Sequence, residues 1–387
     1  MSSIEFNINS KLKGSLARTG MIGTPHGDIK TPAFIVAGTK AAVKAMTVDD
    51  ITNLNGQSIL ANTYHLMLQP GADILERAGG LAKFMGYQGP TFTDSGGFQI
   101  FSLANTEPGA KAKILKISDS GVTFRSHING EKLEMNPEIS MKAQHQIGAD
   151  IHMAFDELVT ADGDKNEVER AMGQTHRWAL RCLDSHKKLN DEHTQRNENL
   201  QALYGIVQGG AYNDLRAQSA EFLSRLAFDG FGIGGVFTAD GMAEMLKTVN
   251  AILPEDKPRH LLGMGAEPID LFVGAENGCD TFDCVAPTRQ ARNGALYTMN
   301  GRINIRNAKF REDFSPIDNE CECHTCLHYT KSYIQHLFRA NEILASTLAS
   351  IHNEYFVVST VDRIRSSIQD GTFSEYKKCF LKRYYGN

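Results

Sequence analysis

The chain has 387 residues, of which 41% are hydrophobic and 22% charged, a globular composition long enough for one large domain plus a smaller one. No apolar run approaches the roughly eighteen residues that span a bilayer, and the N-terminal "MSSIEFNINSKLKGSLART" carries no signal-peptide core, so a cytoplasmic protein with no membrane partner is expected. A net charge of -5 excludes a protein that coats nucleic acid over its whole surface, while leaving room for a local basic patch.

In chain order, residues 1–31 read as short strands and turns ("GMIGTPHGDIKTP"), a sheet placed to plug the bottom of the larger domain. A series of short apolar runs then ends repeatedly in glycine or polar residues. These are "PAFIVAG" (32–38), "SILANTYHL" (58–66), "PTFTDSGG" (90–97), "ADIHMAFDE" (149–157), "YGIVQGG" (204–210), "FGIGGV" (231–236), "HLLGMG" (260–265) and "CDTFDCV" (279–285). Helical periodicity separates them, as in "EVERAMGQTHRWALRCLDSHKK" (167–188) and "DLRAQSAEFLSRLA" (214–227). Alternating strand and helix predicts a mostly parallel sheet, either doubly wound or closed as a (β/α)8 TIM barrel. Polar or glycine residues mark many strand ends (Asn62, Asp94, Asp156, Gln208, Gly234, Gly263, Asp283), which favours the barrel, because barrels draw their sites from several strands on one face. No GxGxxG or GxxxxGK[ST] loop is present. From about residue 300 the character changes to a cysteine cluster followed by a helical stretch, 331–368. The expected division is a barrel with its N-terminal sheet over 1–300, and a zinc-binding subdomain with C-terminal helices packed on the barrel over 301–387.

Cys321, Cys323 and Cys326 form C-x-C-x2-C, a spacing suited to a structural metal in a reducing compartment. A histidine would complete the tetrahedral set, with His324, His328, His336 and His352 as candidates. Such a closed site shapes a subdomain and leaves no position for substrate. The acids carry the chemistry. Singly, Asp94 in "TDSGGFQIF", Asp156 in "FDE" and Asp283 in "TFDCVAPTR" each read as a cap or loop partner. At the ends of different strands of one barrel they converge. Paired carboxylates suit reaction at a glycosidic carbon, one attacking and one moving protons. The glycines of "VQGG" and "IGG", with Gln208, can read the edge of a flat polar base. Between Cys284 and Arg311 the charges are all basic, including Arg289 and Arg292. Taken alone this is a solvated face; beside Asp283 it would hold phosphates.

The ordered set "NTYHLMLQPG", "DSGGFQIFSL", "FDE", "VQGG", "IGG", "FDCVAPTRQARNG" and C-x-C-x2-C with a distant histidine resembles the bacterial-type tRNA-guanine transglycosylases, from about residue 15 to 355. Each motif is weak alone, and together in this order they are highly specific. The resemblance implies exchange of guanine at the wobble position of tRNAs with GUN anticodons for a 7-deazaguanine, a step toward queuosine. It implies Asp283 as the nucleophile that links to ribose and Asp94 as general acid/base. Asp156, Gln208 and the backbone near Gly235 would bind the base edges, Phe98 and Leu262 would sandwich the base, and Ser95 would help position the site. Arg289 and Arg292 would grip the anticodon loop, Cys321, Cys323, Cys326 and His352 would hold zinc, and the chain would form a homodimer.

Two segments depart from the bacterial pattern. "FDELVTADGD" (155–164) stands for "FDECTPYP", putting Leu158 in place of a cysteine, and "GGVFTADGM" (234–242) stands for "GGLAVGE", with Thr238, Ala239 and Asp240. Both would line the pocket for the substituent of the incoming base. The aminomethyl precursor, 7-aminomethyl-7-deazaguanine, is the expected substrate and queuine the alternative. A non-catalytic tRNA-binding subunit would have lost the acids present here. A metal-dependent barrel hydrolase would carry an H-x-H pair, which the chain lacks. A relative acting on DNA or another tRNA position would normally carry an added nucleic-acid-binding domain.

Overall fold

The structure is a computed structural model that describes residues 3–104, 113–159, 163–234 and 241–386. Three antiparallel strands come first, β1 (Glu5–Lys11), β2 (Arg18–Thr24) and β3 (Gly27–Thr31). The closed barrel comes next, with β4 (Ala33–Ala37), β5 (Ile59–Ala61) and β6 (Thr91–Thr93). A separate antiparallel sheet, β7 (Lys113–Ser118), β8 (Gly121–Arg125) and β9 (Lys132–Met135), interrupts the series. The barrel resumes with β10 (Ile151–Met153), β11 (Ala202–Val207), β12 (Gly230–Ile233), β13 (Arg259–Leu261) and β14 (Thr281–Cys284). All barrel pairings are parallel, and β14 closes onto β4 with Phe282 opposite Phe34 and Asp283 opposite Ile35. A hairpin of β15 (Ala295–Thr298) and β16 (Gly301–Asn304) lies beyond.

Each of the eight apolar runs overlaps one of these barrel strands. They are buried along their length, as in "AFIVA" of β4, because helices cover the outside and side chains fill the inside. The run "SILANTYHL" is strand only to Ala61; Asn62 caps a helix over Thr63–Leu68 by accepting from the His65 backbone N–H at 3.0 Å.

The N-terminal sheet sits at the end of the barrel remote from the site. Arg18 in β2 reaches Asp280, just before β14, with Nε and Nη2 donating at 2.9 and 2.6 Å, and both side chains are buried. Asp280 also accepts the Arg259 backbone N–H at the start of β13, so one carboxylate ties the plug to two strands.

The C-terminal helical stretch is divided. Helices Lys331–Ala340 and Ile343–Gln369 are separated at Asn341, whose left-handed φ of 57° ends the first and turns the chain. The second helix joins two apolar clusters. Its early residues Ala345, Leu348 and Ala349 pack with Leu296, Ile305, Phe310 and Ile334 around the cysteines. Its later residues Phe356, Val361 and Ile368 belong to the barrel's own core. Among the described residues no helix is long and apolar enough to cross a membrane.

Candidate functional site

At the C-terminal ends of the barrel strands lies a cavity of about 480 Å³ lined by Asp94, Ser95, Phe98, Asp156, Gln208, Leu262, Asp283, Arg289 and Arg292. The residues expected from sequence to share a site therefore do share one. Gly235 lies outside the described residues, as do Thr238, Ala239 and Asp240. Leu158 also lines the cavity.

Asp94 follows β6. Its Oδ1 accepts the backbone N–H groups of Thr63 and Gly96 at 3.0 and 3.1 Å, and its Oδ2 accepts from the Asn62 amide. Asn62 is oriented for this because its own Oδ1 is used in capping the helix. Gly96 has φ +81°, and an added Cβ would approach the Tyr64 backbone nitrogen to 3.1 Å, so glycine is needed where the loop crosses that helix. Although Asp94 opens onto the cavity, burial pushes its carboxyl up to about 7, and the neighbouring Asp283 adds to this against the hydrogen bonds.

Asp283 sits in a different environment. Its Oδ1 accepts the Gly263 backbone N–H at 2.8 Å and meets His260 Nε2 at 3.1 Å. His260 is fully buried, and its Nδ1 is 2.8 Å from Thr281 Oγ1. A carboxylate cannot donate, so the His260 proton belongs on Nε2 and Thr281 donates to Nδ1. Both bonds fall on Oδ1. Among the described residues Oδ2 of Asp283 takes no hydrogen bond and is left for the cavity. Gly263 adopts φ +69° with open space around it, so the turn needs glycine for its backbone conformation alone.

Asp156 follows β10 and pairs across the cavity floor with its neighbours. The Ser95 hydroxyl donates to Oδ1 at 3.2 Å and Gln208 Nε2 donates to Oδ2 at 2.7 Å. Burial again raises the carboxyl, with Gln208 and Ser95 opposing. Gln208 is held from behind. Arg216 on helix Asn213–Ser224 donates to the carbonyls of Val207 (3.0 Å), Gly210 (2.9 Å) and Gly234 (2.6 Å), fixing the ends of β11 and β12 together. Phe98 is 54% exposed and Leu262 partly buried, so both present apolar surface at the cavity.

On one side the lining is basic. Lys44 joins Arg289 and Arg292, and its ammonium is pushed below the usual lysine range, first by burial and then by these two guanidinium groups. Asn353 steadies the arginine segment by donating to the carbonyls of Pro287 and Ala295 at 3.1 and 3.0 Å and accepting the Tyr297 N–H at 3.1 Å.

The cysteine cluster is separate. Cys321, Cys323 and Cys326 surround His352, with Sγ to Nδ1 distances of 3.6, 3.5 and 3.3 Å. Tetrahedral bonds of ordinary zinc length would set sulfur and nitrogen about 3.5 Å apart, so the four residues fit a single ion. The far nitrogen of His352 is 2.6 Å from the Tyr297 carbonyl, which directs Nδ1 at the sulfurs. His324, His328 and His336 are exposed, leaving His352 as the histidine that closes the set.

Sequence reasoning missed His260, Lys44 and Arg216, and gave Asn62 no role. His260 was the legible one: on β13 it shares a face with Leu262, and β13 pairs His260 with Thr281, two positions before Asp283.

Comparison with known proteins identifies a family. A family model described as queuine tRNA-ribosyltransferase matches residues 13–386. The chain is 45% identical over 390 residues to the queuine tRNA-ribosyltransferase of Caldanaerobacter subterraneus subsp. tengcongensis, covering 100% of this chain and 99% of the relative. It is 44% identical to those of Halothermothrix orenii, covering 99% and 98%, and Staphylococcus epidermidis, covering 99% and 97%. With both the family match and these relatives extending over nearly its whole length, the chain belongs to the queuine tRNA-ribosyltransferase family.

Proposed function

We propose that the cavity exchanges guanine at the wobble position of GUN-anticodon tRNA for a 7-deazaguanine, through a covalent Asp283–ribose intermediate. One observation carries the reading: two carboxyl groups face one cavity, Asp283 with a free Oδ2 and Asp94 with its acidity tuned to about 7. In the first half-reaction Asp283 Oδ2 forms a bond to ribose C1′ while the bond from C1′ to guanine N9 breaks, and protonated Asp94 supplies the proton the departing base takes up. In the second, Asp94 removes the N9 proton of the incoming base, N9 bonds to C1′, and the Asp283 ester bond breaks. Asp156 and Gln208 would receive the polar edge of the base, held between Phe98 and Leu262, with Ser95 orienting Asp156. Taking the nucleotide out of its stack is the usual requirement for chemistry of this kind. Lys44, Arg289 and Arg292 would meet the anticodon-loop phosphates.

The expected incoming base is 7-aminomethyl-7-deazaguanine. Queuine is the second reading, and it rests on Leu158, which lines the cavity where the bacterial pattern has cysteine. The remaining partners follow from the same reading: a structural zinc on Cys321, Cys323, Cys326 and His352, a second copy of the chain, and a cytoplasmic site of action. The test is release of labelled guanine from position 34 of such a tRNA, with each base offered separately, together with denaturing electrophoresis of the protein–tRNA adduct. Adduct formation by the parent and none by Asp283→Asn is the expected result. An undiminished adduct in Asp283→Asn, or no guanine release with either base, would overturn the proposal.

A further inference from the structure

On the outer side of the barrel wall, helix Pro137–Ile147, strand β10 and helix Lys165–Gln195 enclose His145, His152 and His186, which are 5%, 0% and 6% exposed. Strand alternation turns His152 away from the cavity that its neighbour Met153 lines. One ring nitrogen from each of the three lies within 4.8 Å of the other two. The ring of His145 is centred 5.0 Å from that of His152 and 4.9 Å from that of His186.

The hydrogen bonds leave this cluster unsatisfied. Asn190 is oriented by Gln201, whose carbonyl accepts from its Nδ2 and whose N–H donates to its Oδ1. Nε2 of His186 lies 3.1 Å from that Nδ2 and beside the Gln201 backbone, while its Nδ1 lies 2.9 Å from His145 Nε2. Among the described residues Nδ1 of His145 has no hydrogen-bond partner. Neither nitrogen of His152 makes a hydrogen bond of regular geometry, a marginal contact with the Ala149 backbone aside. Buried polar atoms left this way are costly, and native interiors normally satisfy them with a protein group, an ordered water or an ion. Among the described residues no carboxylate is hydrogen-bonded to these three rings; Glu198 lies 2.8 Å from the adjoining His193. Burial and mutual proximity hold the three imidazoles below the ordinary histidine range, so they stand neutral.

We propose that His145, His152 and His186 form a second metal site, for one divalent ion of the class that prefers imidazole, such as Zn²⁺, Co²⁺ or Ni²⁺. Tetrahedral ligation would bring the nitrogens to about 3.3 Å from one another, a closure achieved by small ring rotations. His145 binds through Nε2 with its proton on Nδ1. His186 binds through Nδ1 with its proton on Nε2, beside the Gln201 backbone, so no proton is lost. The site is structural. Gln144, next to His145, donates to the Met153 carbonyl and accepts the Met153 N–H and the Thr93 hydroxyl, so the ion would bind both helices to strands β10 and β6, which lead to Asp156 and Asp94.

The test is metal content of the full chain equilibrated with Zn²⁺ and then freed of loose metal, read beside cobalt absorption, in which thiolate charge transfer marks the cysteine set and imidazole ligation adds only weak bands. The parent is expected to retain two equivalents per chain, and a His145→Gln, His186→Gln variant one, with its thiolate band intact. His324 and His328 form an exposed pair 4.7 Å apart, and a variant with both changed to Gln should keep two equivalents. A single equivalent in the parent, or a second that survives in the His145, His186 variant, or one lost with the exposed pair, overturns the proposal. Should that variant fail to fold, cadmium NMR of the parent decides: a thiolate and an imidazole resonance support the site, and a thiolate resonance alone rejects it.

Discussion

At the scale of single residues, Asp94 and Asp283 show how neighbours divide labour between identical side chains. The Asp94 carboxyl, held at about 7 against its ordinary 3.8, keeps a proton in the folded protein over a range in which the unfolded chain has lost it. Its contribution to stability is therefore full below pH 3.8 and is lost as pH rises through 7. Asp94→Asn has no such dependence. It is expected to melt a few degrees above the parent at pH 8 and to converge with it near pH 4, as calorimetry across that range would show; a constant gap would count against the assignment. Under the proposed mechanism, in which Asp94 supplies the proton, adduct formation should slow above about pH 7. Gly263→Ala forces alanine into φ +69°, costing about 1 kcal/mol, and moves the N–H that holds Asp283 Oδ1. A roughly tenfold fall in kcat with KM little changed is expected from steady-state kinetics, since about 1.4 kcal/mol corresponds to that factor. The acids and glycines were legible because each ends an apolar run. His260 was missed although its place on the Leu262 face of β13 made it legible, whereas Lys44 was hidden because a lone lysine in a loop carries no signal until the barrel closes around it.

Among the elements, Arg216 acts through its side chain and Asn341 through its backbone. Arg216 binds three carbonyls at the ends of β11 and β12. Arg216→Met should cost about 3 kcal/mol or more, through buried acceptors left without donors, and should weaken base binding as Gln208 loses its support; denaturant melts and base titration measure the two effects. Asn341 ends one helix in the left-handed region and starts the return that delivers His352 to the cysteines. Asn341→Gly should be tolerated, and Asn341→Val should cost about 1–2 kcal/mol in the same melts. Periodicity over 331–368 is continuous in pattern, which is why sequence reading joined the two helices; the break comes from one residue's backbone. The sheet of β7 to β9 was missed because "KILKIS" and "GVTFR" lack the spacing of the barrel runs. Removing the metal proposed for the cysteine set should loosen the second apolar cluster before the barrel, visible as hydrogen exchange rising first in Leu296, Ile334 and Leu348.

Across the whole molecule, a net charge of -5 coexists with a basic rim of Lys44, Arg289 and Arg292 at the cavity. Binding of a polyanion is therefore local, and its dependence on salt should count the contacts made. Arg289→Ala is expected to weaken tRNA binding and lower the salt slope by about 0.7, the value for one single-strand phosphate; an unchanged slope would place Arg289 off the backbone. The barrel's closure has a temporal consequence. Asp283 lies on the last barrel strand, which pairs with the first, and Asp280 beside it is the partner of Arg18 in the N-terminal sheet. During synthesis the early strands must wait for nearly three quarters of the chain, with β4 lacking its β14 neighbour and Arg18 its counter-charge. A chain arrested before β14 is thus an open sheet with two sticky edges and a cavity that lacks Asp283, so a ribosome stalled there releases aggregation-prone material.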